Sequence, residues 1–375
     1  MSDDDLPPEP DKEPGAPHPR DAQRLFGQEA AEKTFLEAFN TGRLHHGWLI
    51  TGPKGIGKAT LAWRIARFLL ATPPQEDDGL FGAPPPPTSL DIDPEHPVAR
   101  RLAARAEPGL FSLTRSVVET TGRMSREIRI EDVRRLRGFF SLSAADGGRR
   151  IVIVDAADEM NQSAANAILK LLEEPPANAT MLLIAHQPSR LLPTIRSRCR
   201  VLRCEPLSQA DLSSALAQAE IESPNSDALA ALASGSAGAA IRLNAENGAE
   251  LYAALLALLA TLPRLDRSLA AKLADTVQGR DAQDKLALLL DLLDILLARL
   301  ARTGLTGAPM PEAVSGEAQT LERLCPDATA ARHWASLAQD LTIRARQGAA
   351  VNLDPQGLIF DTMLRIESEA ASAVS

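Results

Sequence analysis

Cysteine is scarce in this chain: three in 375 residues, at Cys199, Cys204 and Cys325. Three thiols make neither a disulfide framework nor a four-thiolate metal site. Long apolar runs are missing too. The opening residues, Met1-Ser2-Asp3-Asp4-Asp5, are acidic and no apolar stretch follows them, which excludes a secretory signal. The most apolar run, 286–300, is broken by Asp291 and Asp294, which argues against a membrane span. The expectation is a soluble, cytoplasmic protein with no membrane partner. At about 100–200 residues per domain, the length allows two or three domains.

The net charge of -9 is unevenly spread. Residues 1–21 carry seven acids against Lys12 and Arg20, and residues 71–97 carry six acids with no Lys or Arg. The rest of the chain is slightly basic, and residues 100–150 hold twelve Arg against six acids. Overall acidity therefore does not exclude contact with nucleic acid, nor does it demonstrate it.

Residues 1–21 contain six Pro and almost no large apolar side chains, and read as a disordered tail. Residues 71–97 contain eight Pro, including Pro84-Pro85-Pro86-Pro87, and read as an exposed insertion. Strands are expected at 47–51, 150–155 and 181–185, the last two nearly continuous apolar runs of the kind a buried parallel sheet needs. Helices are expected at 59–70 and 163–174, the second stopped by Pro175-Pro176. This alternation predicts a doubly wound α/β domain over 22–205. Beyond Pro206 the chain turns helical: three short helices in 206–246, then an Ala- and Leu-rich bundle over 247–375. Its helices are expected near 250–261, 266–277, 281–302, 327–346 and 355–372.

Gly52-Pro53-Lys54-Gly55-Ile56-Gly57-Lys58-Ala59-Thr60 fits G-x-x-x-x-G-K between a strand and a helix. In such a loop Gly52, Gly55 and Gly57 let backbone N–H groups curl around phosphate, the helix N-terminus adds positive potential, and Lys58 neutralises phosphate charge. The hydroxyl residue that should follow the Lys to hold Mg²⁺ is replaced by Ala59. Thr60 is rotated about 100° away around the helix. A second element, Arg150 to Asp155, is a strand ending in an acid that could hold Mg²⁺. The carboxylate expected next to it, to polarise an attacking water, is replaced by Ala156. Two catalytic groups are thus methyl side chains, the mark of a degenerate nucleotide site. The adjacent His45-His46 are expected to point to opposite faces of a strand rather than to share a metal.

The segment Asn166-Ala167-Ile168-Leu169-Lys170-Leu171-Leu172-Glu173-Glu174-Pro175-Pro176, followed by Pro193-Thr194-Ile195-Arg196-Ser197-Arg198-Cys199, resembles the clamp-loader branch of the AAA+ family. With the phosphate loop and Gly27-Gln28 upstream, the resemblance extends over nearly the whole chain after the tail. It implies a P-loop AAA+ domain, a small helical lid and a C-terminal helical collar. It further implies a place in a five-subunit ring with τ/γ-type motor subunits and a δ-type subunit, which loads a sliding clamp on primed DNA within the DNA polymerase III holoenzyme. Ser197-Arg198-Cys199 resembles the family's SRC motif, whose Arg reaches in trans into a neighbour's ATP site. Cys199 itself reads as a packed thiol.

Against the family's motor pattern, Ala185-His186 lacks the sensor hydroxyl or amide at the end of the 181–185 strand. Gly238 stands where motors carry a sensor Arg, and Arg242 is a full turn away. The four-cysteine zinc module of many relatives is missing, so no zinc is expected. No cofactor is required, although passive binding of ATP at Lys58 is compatible with the sequence. Three readings stay open: a non-hydrolysing ring subunit that donates Arg198, a motor ATPase resting on Lys58 and Asp155, and a DNA-binding module resting on Arg134, Arg135 and Arg137.

Overall fold

In the computed structural model, the described residues are 9–72, 85–118, 123–141, 148–221, 226–279, 282–351 and 353–373. Seven strands occur among them: β1 Gly47–Thr51, β2 Leu110–Leu113, β3 Val117–Val118, β4 Arg123–Met124, β5 Arg150–Val154, β6 Ala179–Ala185 and β7 Arg200–Arg203. Five form one parallel sheet in the order β2-β5-β6-β1-β7, and β3-β4 is a short antiparallel ribbon. The phosphate-loop strand β1 is therefore separated from the acid-bearing strand β5 by β6.

Alternation along each strand builds two cores, because successive side chains point to opposite faces. Trp48, Ile50, Ile151, Ile153, Leu182 and Ile184 face helices α1 (Glu29–Asn40) and α2 (Lys58–Ala71). Leu49, Val152, Val154, Met181 and Leu183 belong to the opposite cluster with residues of α4 (Ile130–Ser141) and α5 (Gln162–Glu173). A short α3 (Pro97–Ala103) completes the first side. At α5, the Asn161 side chain accepts from the Ala164 backbone N–H at 2.9 Å, a cap that fixes where the helix starts. Register sets Thr51 beside Ala185, so the phosphate loop leaves the C-terminal edge of the sheet.

The contacts divide the chain into two units: 1–221 with 235–241, and 222–234 with 242–375. Helices α6 (Pro193–Arg196) and α7 (Gln209–Gln218) lie in the first, and α8 (Ser226–Ala233) in the second. The boundary falls inside α9 (Ala237–Ala245). The segment expected as a lid, 206–246, contributes residues to both units.

The second unit also contains α10 (Gly248–Ala260), α11 (Arg267–Asp275), α12 (Ala282–Thr306), α13 (Glu317–Leu324), α14 (Ala328–Ala350) and α15 (Pro355–Ala373). Leu286, Leu289, Leu293, Leu296, Leu297 and Leu300 recur at three- and four-residue intervals along α12 and are all buried. The unanticipated α13 is short and begins at a fully buried acid. Glu317 accepts from Tyr252 Oη at 2.6 Å, from Arg299 Nε at 2.6 Å and from the Ala313 backbone N–H at 2.6 Å. Those partners hold its carboxyl below the usual range although burial opposes the charge, while burial and the Glu317 carboxylate push the Tyr252 phenol up against the opposing charge of Arg299. Among the described residues no helix is long and apolar enough to cross a membrane.

Two expectations need correction. Residues 9–21, read as disordered, form turns packed on the α/β unit, with His18 and Arg20 buried. Residues 1–8 lie outside the described residues. The insertion is divided as well: 73–84 lie outside the described residues, but Leu90 is buried in the core. Beside it the Asp91 carboxylate accepts from Arg64 at 2.9 Å. Removing one member of a buried charge cluster costs about 3–5 kcal/mol, so Glu317→Ala should destabilise the C-terminal unit by that order. Chemical denaturation followed by Trp334 fluorescence measures it.

Candidate functional site

All three loop glycines have positive φ, at 144° for Gly52, 78° for Gly55 and 98° for Gly57. The surroundings also demand their size: a Cβ at Gly55 would run into Ser236 Oγ. The loop is held by side chains distant in sequence. Gln28 donates from Nε2 to the Ile56 carbonyl at 3.0 Å and the Glu205 carbonyl at 2.8 Å, and accepts from the Glu205 N–H at 3.0 Å. Ser236 Oγ donates to the Lys54 carbonyl at 2.9 Å, and the Gly238 N–H donates to the Gly55 carbonyl at 2.9 Å.

Gly52, Gly55, Gly57, Lys58 and Asp155 come together as the motif spacing implies. Gly55, Gly57, Lys58, Ala59 and Asp155 border a cavity of about 450 Å³. Thr60 borders it too, in spite of its rotation from Ala59. Lys58 is 3% exposed and its ammonium donates to the Gly52 carbonyl at 2.7 Å and to the Pro53 carbonyl. Burial pulls it down to about 8, while burial and the charge of Asp11 push Asp155 up to about 7. Ala156 is buried at 3% exposure, with nothing to activate a water. The donor set therefore suits a phosphate cradle, with alanine at positions 59 and 156 where the sequence pattern expects a hydroxyl and a carboxylate.

Both sensor positions have other duties. His186 borders the cavity, and burial with the nearby Lys58 lowers it to about 4, leaving it neutral. Its backbone N–H and that of Gln187 donate to the Asp158 carboxylate at 3.0 and 2.9 Å. Gly238 lies flat against the phosphate loop, where even a Cβ would stand 3.0 Å from Gly55 Cα. Arg242 pairs with Asp291 at 3.5 Å.

Arg198 lies apart from these groups, just beyond α6. It is partly exposed, donates to the Thr194 carbonyl at 3.1 Å and pairs with Glu173 at 2.9 Å. Burial raises the neighbouring Cys199 thiol to about 12, which agrees with a packed and unreactive side chain. His45 and His46 depart from expectation. They precede β1, and their rings stack at 4.3 Å rather than pointing apart. Each ring bonds a backbone carbonyl, of Gly47 and Leu172 respectively. Arg134, Arg135 and Arg137 lie exposed on α4, and Arg135 stacks over Phe111 at 6.0 Å.

Residues 27–208 match the family model described as DNA polymerase III, delta subunit. Over that segment the chain is similar to DNA polymerase III subunits. It is 42% identical over 159 residues to DNA polymerase III subunit delta' of Pseudomonas aeruginosa, covering 42% of this chain and 43% of that one. Identity to subunit delta' of Escherichia coli is 30% over 210 residues, or 56% of this chain and 57% of that one. Subunit gamma of Buchnera aphidicola is 24% identical over 196 residues, or 52% and 47%. The chain thus spans about half the length of the curated relatives it matches.

The functions of Gln28 and Ser236 escape sequence reasoning because their partners lie 177 and 182 residues away. Asp155 yields a pH test. A carboxyl raised from 3.8 to about 7 favours the fold only while protonated, so its stability contribution is full below pH 3.8 and is lost as pH rises towards 7. In metal-free buffer, Asp155→Asn should raise the melting temperature at pH 8 and have little effect at pH 4. Thermal melts at both pH values check this.

Proposed function

We propose that the chain is a δ′-type clamp-loader subunit: a non-hydrolysing AAA+ member of a five-subunit ring that helps load the sliding clamp on primed DNA during replication. Its neighbours would be τ/γ-type motor subunits and a δ-type subunit. Arg198 would act in trans on a neighbour's nucleotide. The observation that carries this reading is the contrast between the chain's two sites. Its own cradle presents Ala59, Ala156 and Gly238 where hydrolysis needs polar groups, while Arg198 is kept at the surface between Ser197 and Cys199.

The energetics are consistent with that role. A half-exposed pair such as Arg198–Glu173 contributes about 0–1 kcal/mol, so little holds the guanidinium in place. A charge-assisted, bidentate contact with phosphate is stronger, and it forms only when the subunits are correctly docked. The second unit offers exposed Leu305, Met310 and Val351, apolar side chains that a collar with four neighbours would cover.

The motor reading has support in the retained Lys58 and Asp155 and in the likeness to a gamma subunit. Against it, the Lys58 ammonium is engaged by the loop's own carbonyls. Passive ATP binding remains compatible with the cradle. Arg fingers contribute about 10³–10⁵ in rate. Arg198→Ala should therefore nearly silence the one ATP site it serves in a reconstituted loader and lower total ATP turnover by at least that share. Assembly should be intact by gel filtration. Unchanged turnover would refute the finger assignment.

A further inference from the structure

The acidic segment 9–21 belongs to the wall of the cavity. Glu9 to Pro14 and Pro17 border it together with Lys54, Gly57, Lys58 and Asp155. The segment is anchored at its far end on α2. His18 is 3% exposed and stands edge-on to Trp63 at 5.4 Å, while the Arg20 guanidinium lies over the same ring at 5.5 Å. Arg67 donates to the Arg20 carbonyl at 2.6 Å, and Arg20 also pairs with Glu9.

From that anchor the chain returns with its acids towards the cradle. The Arg20 N–H donates to His18 Nδ1 at 3.0 Å, which leaves the proton on Nε2 to face the Asp11 carboxylate 3.1 Å away. Burial opposes a charge on Asp11, but His18 and Arg20 outweigh it and hold the carboxyl below its usual range. Its charge reaches Asp155, and the Glu13 carboxylate lies 3.5 Å from the Lys54 ammonium on the phosphate loop. The segment thus brings carboxylates to a place built to attract anions: a glycine loop, two lysines and the N-terminus of a 14-residue helix.

We propose that residues 9–21 are a built-in competitor for nucleoside polyphosphate, an acidic strap that closes the cradle so that ATP or ADP binds only when the strap is displaced. This rests on reading the cradle as a degenerate nucleotide site. As part of the cavity wall the strap narrows the space beside Lys58, and Asp11 and Glu13 repel an incoming polyphosphate.

The test is titration of the full chain with a fluorescent Mg²⁺–ADP analogue, competed with unlabelled ATP. The full-length variant Asp11→Asn/Glu13→Gln/His18→Ala is titrated alongside it, with folding checked by circular dichroism. The variant should bind about tenfold tighter or more, because apparent affinity scales with the fraction of chains whose cradle is open. Equal affinity, or no binding by either protein, overturns the proposal; in the second case the cradle itself excludes nucleotide. Amide exchange in the unaltered chain needs no variant. Millimolar Mg²⁺–ATP should increase exchange across residues 9–21, and unchanged exchange there overturns the proposal as well. Neither outcome touches the Arg198 experiment, which reads hydrolysis at a neighbour's site.

Discussion

Gln28 is the constraint on which the cradle depends. One buried amide ties the phosphate loop, through the Ile56 carbonyl, to the backbone at Glu205, just past the end of β7. Both ends of that amide are used, so the loop's position is fixed relative to the sheet edge without help from a ligand. Ser236 and Gly238 then take up the carbonyls of Lys54 and Gly55. Buried polar groups that find no partner cost about 1–3 kcal/mol each, so this network also sets which residues the loop can accept.

The same network gives the phosphate loop a structural use that does not depend on hydrolysis. Gly55 is required by the closeness of Ser236 and Gly238, and Gly52 by the backbone of Cys204. Lys58 satisfies carbonyls of its own loop. These residues stabilise the α/β unit whether or not phosphate is present, while groups whose only use is hydrolysis, at positions 59 and 156, are alanine. In the proposed reading, Arg198 lies outside this network and its function is exerted on another chain.

Three of the five strands of the parallel sheet were legible as apolar runs, and those at 47–51, 150–154 and 179–185 lie within two residues of expectation, whereas the short β2 and the arginine-bearing β7 carry no such run and were not anticipated. The loop residues and Asp155 were legible from spacing alone. Composition failed for residues 9–21: the six prolines and seven acids of residues 1–21 argue for disorder, but the placement of His18 and Arg20 on Trp63 is a tertiary fact. Leu90 in the insertion is a similar case, one apolar side chain among prolines that reaches the core. Helix α13 escaped because eight residues led by a charged Glu carry little periodicity, and its stability comes from Arg299 and Tyr252. His45 and His46 were misjudged by assuming a strand where the chain still bends ahead of β1.

The central claim is that this chain hydrolyses no ATP and leaves that chemistry to its neighbours. The direct measurement is phosphate release by the purified chain alone, with Mg²⁺–ATP, primed DNA and sliding clamp supplied. No turnover above background is the result expected, whether or not nucleotide binds. Turnover that Lys58→Ala abolishes would contradict it, since a water-activating group would then have to exist within this chain.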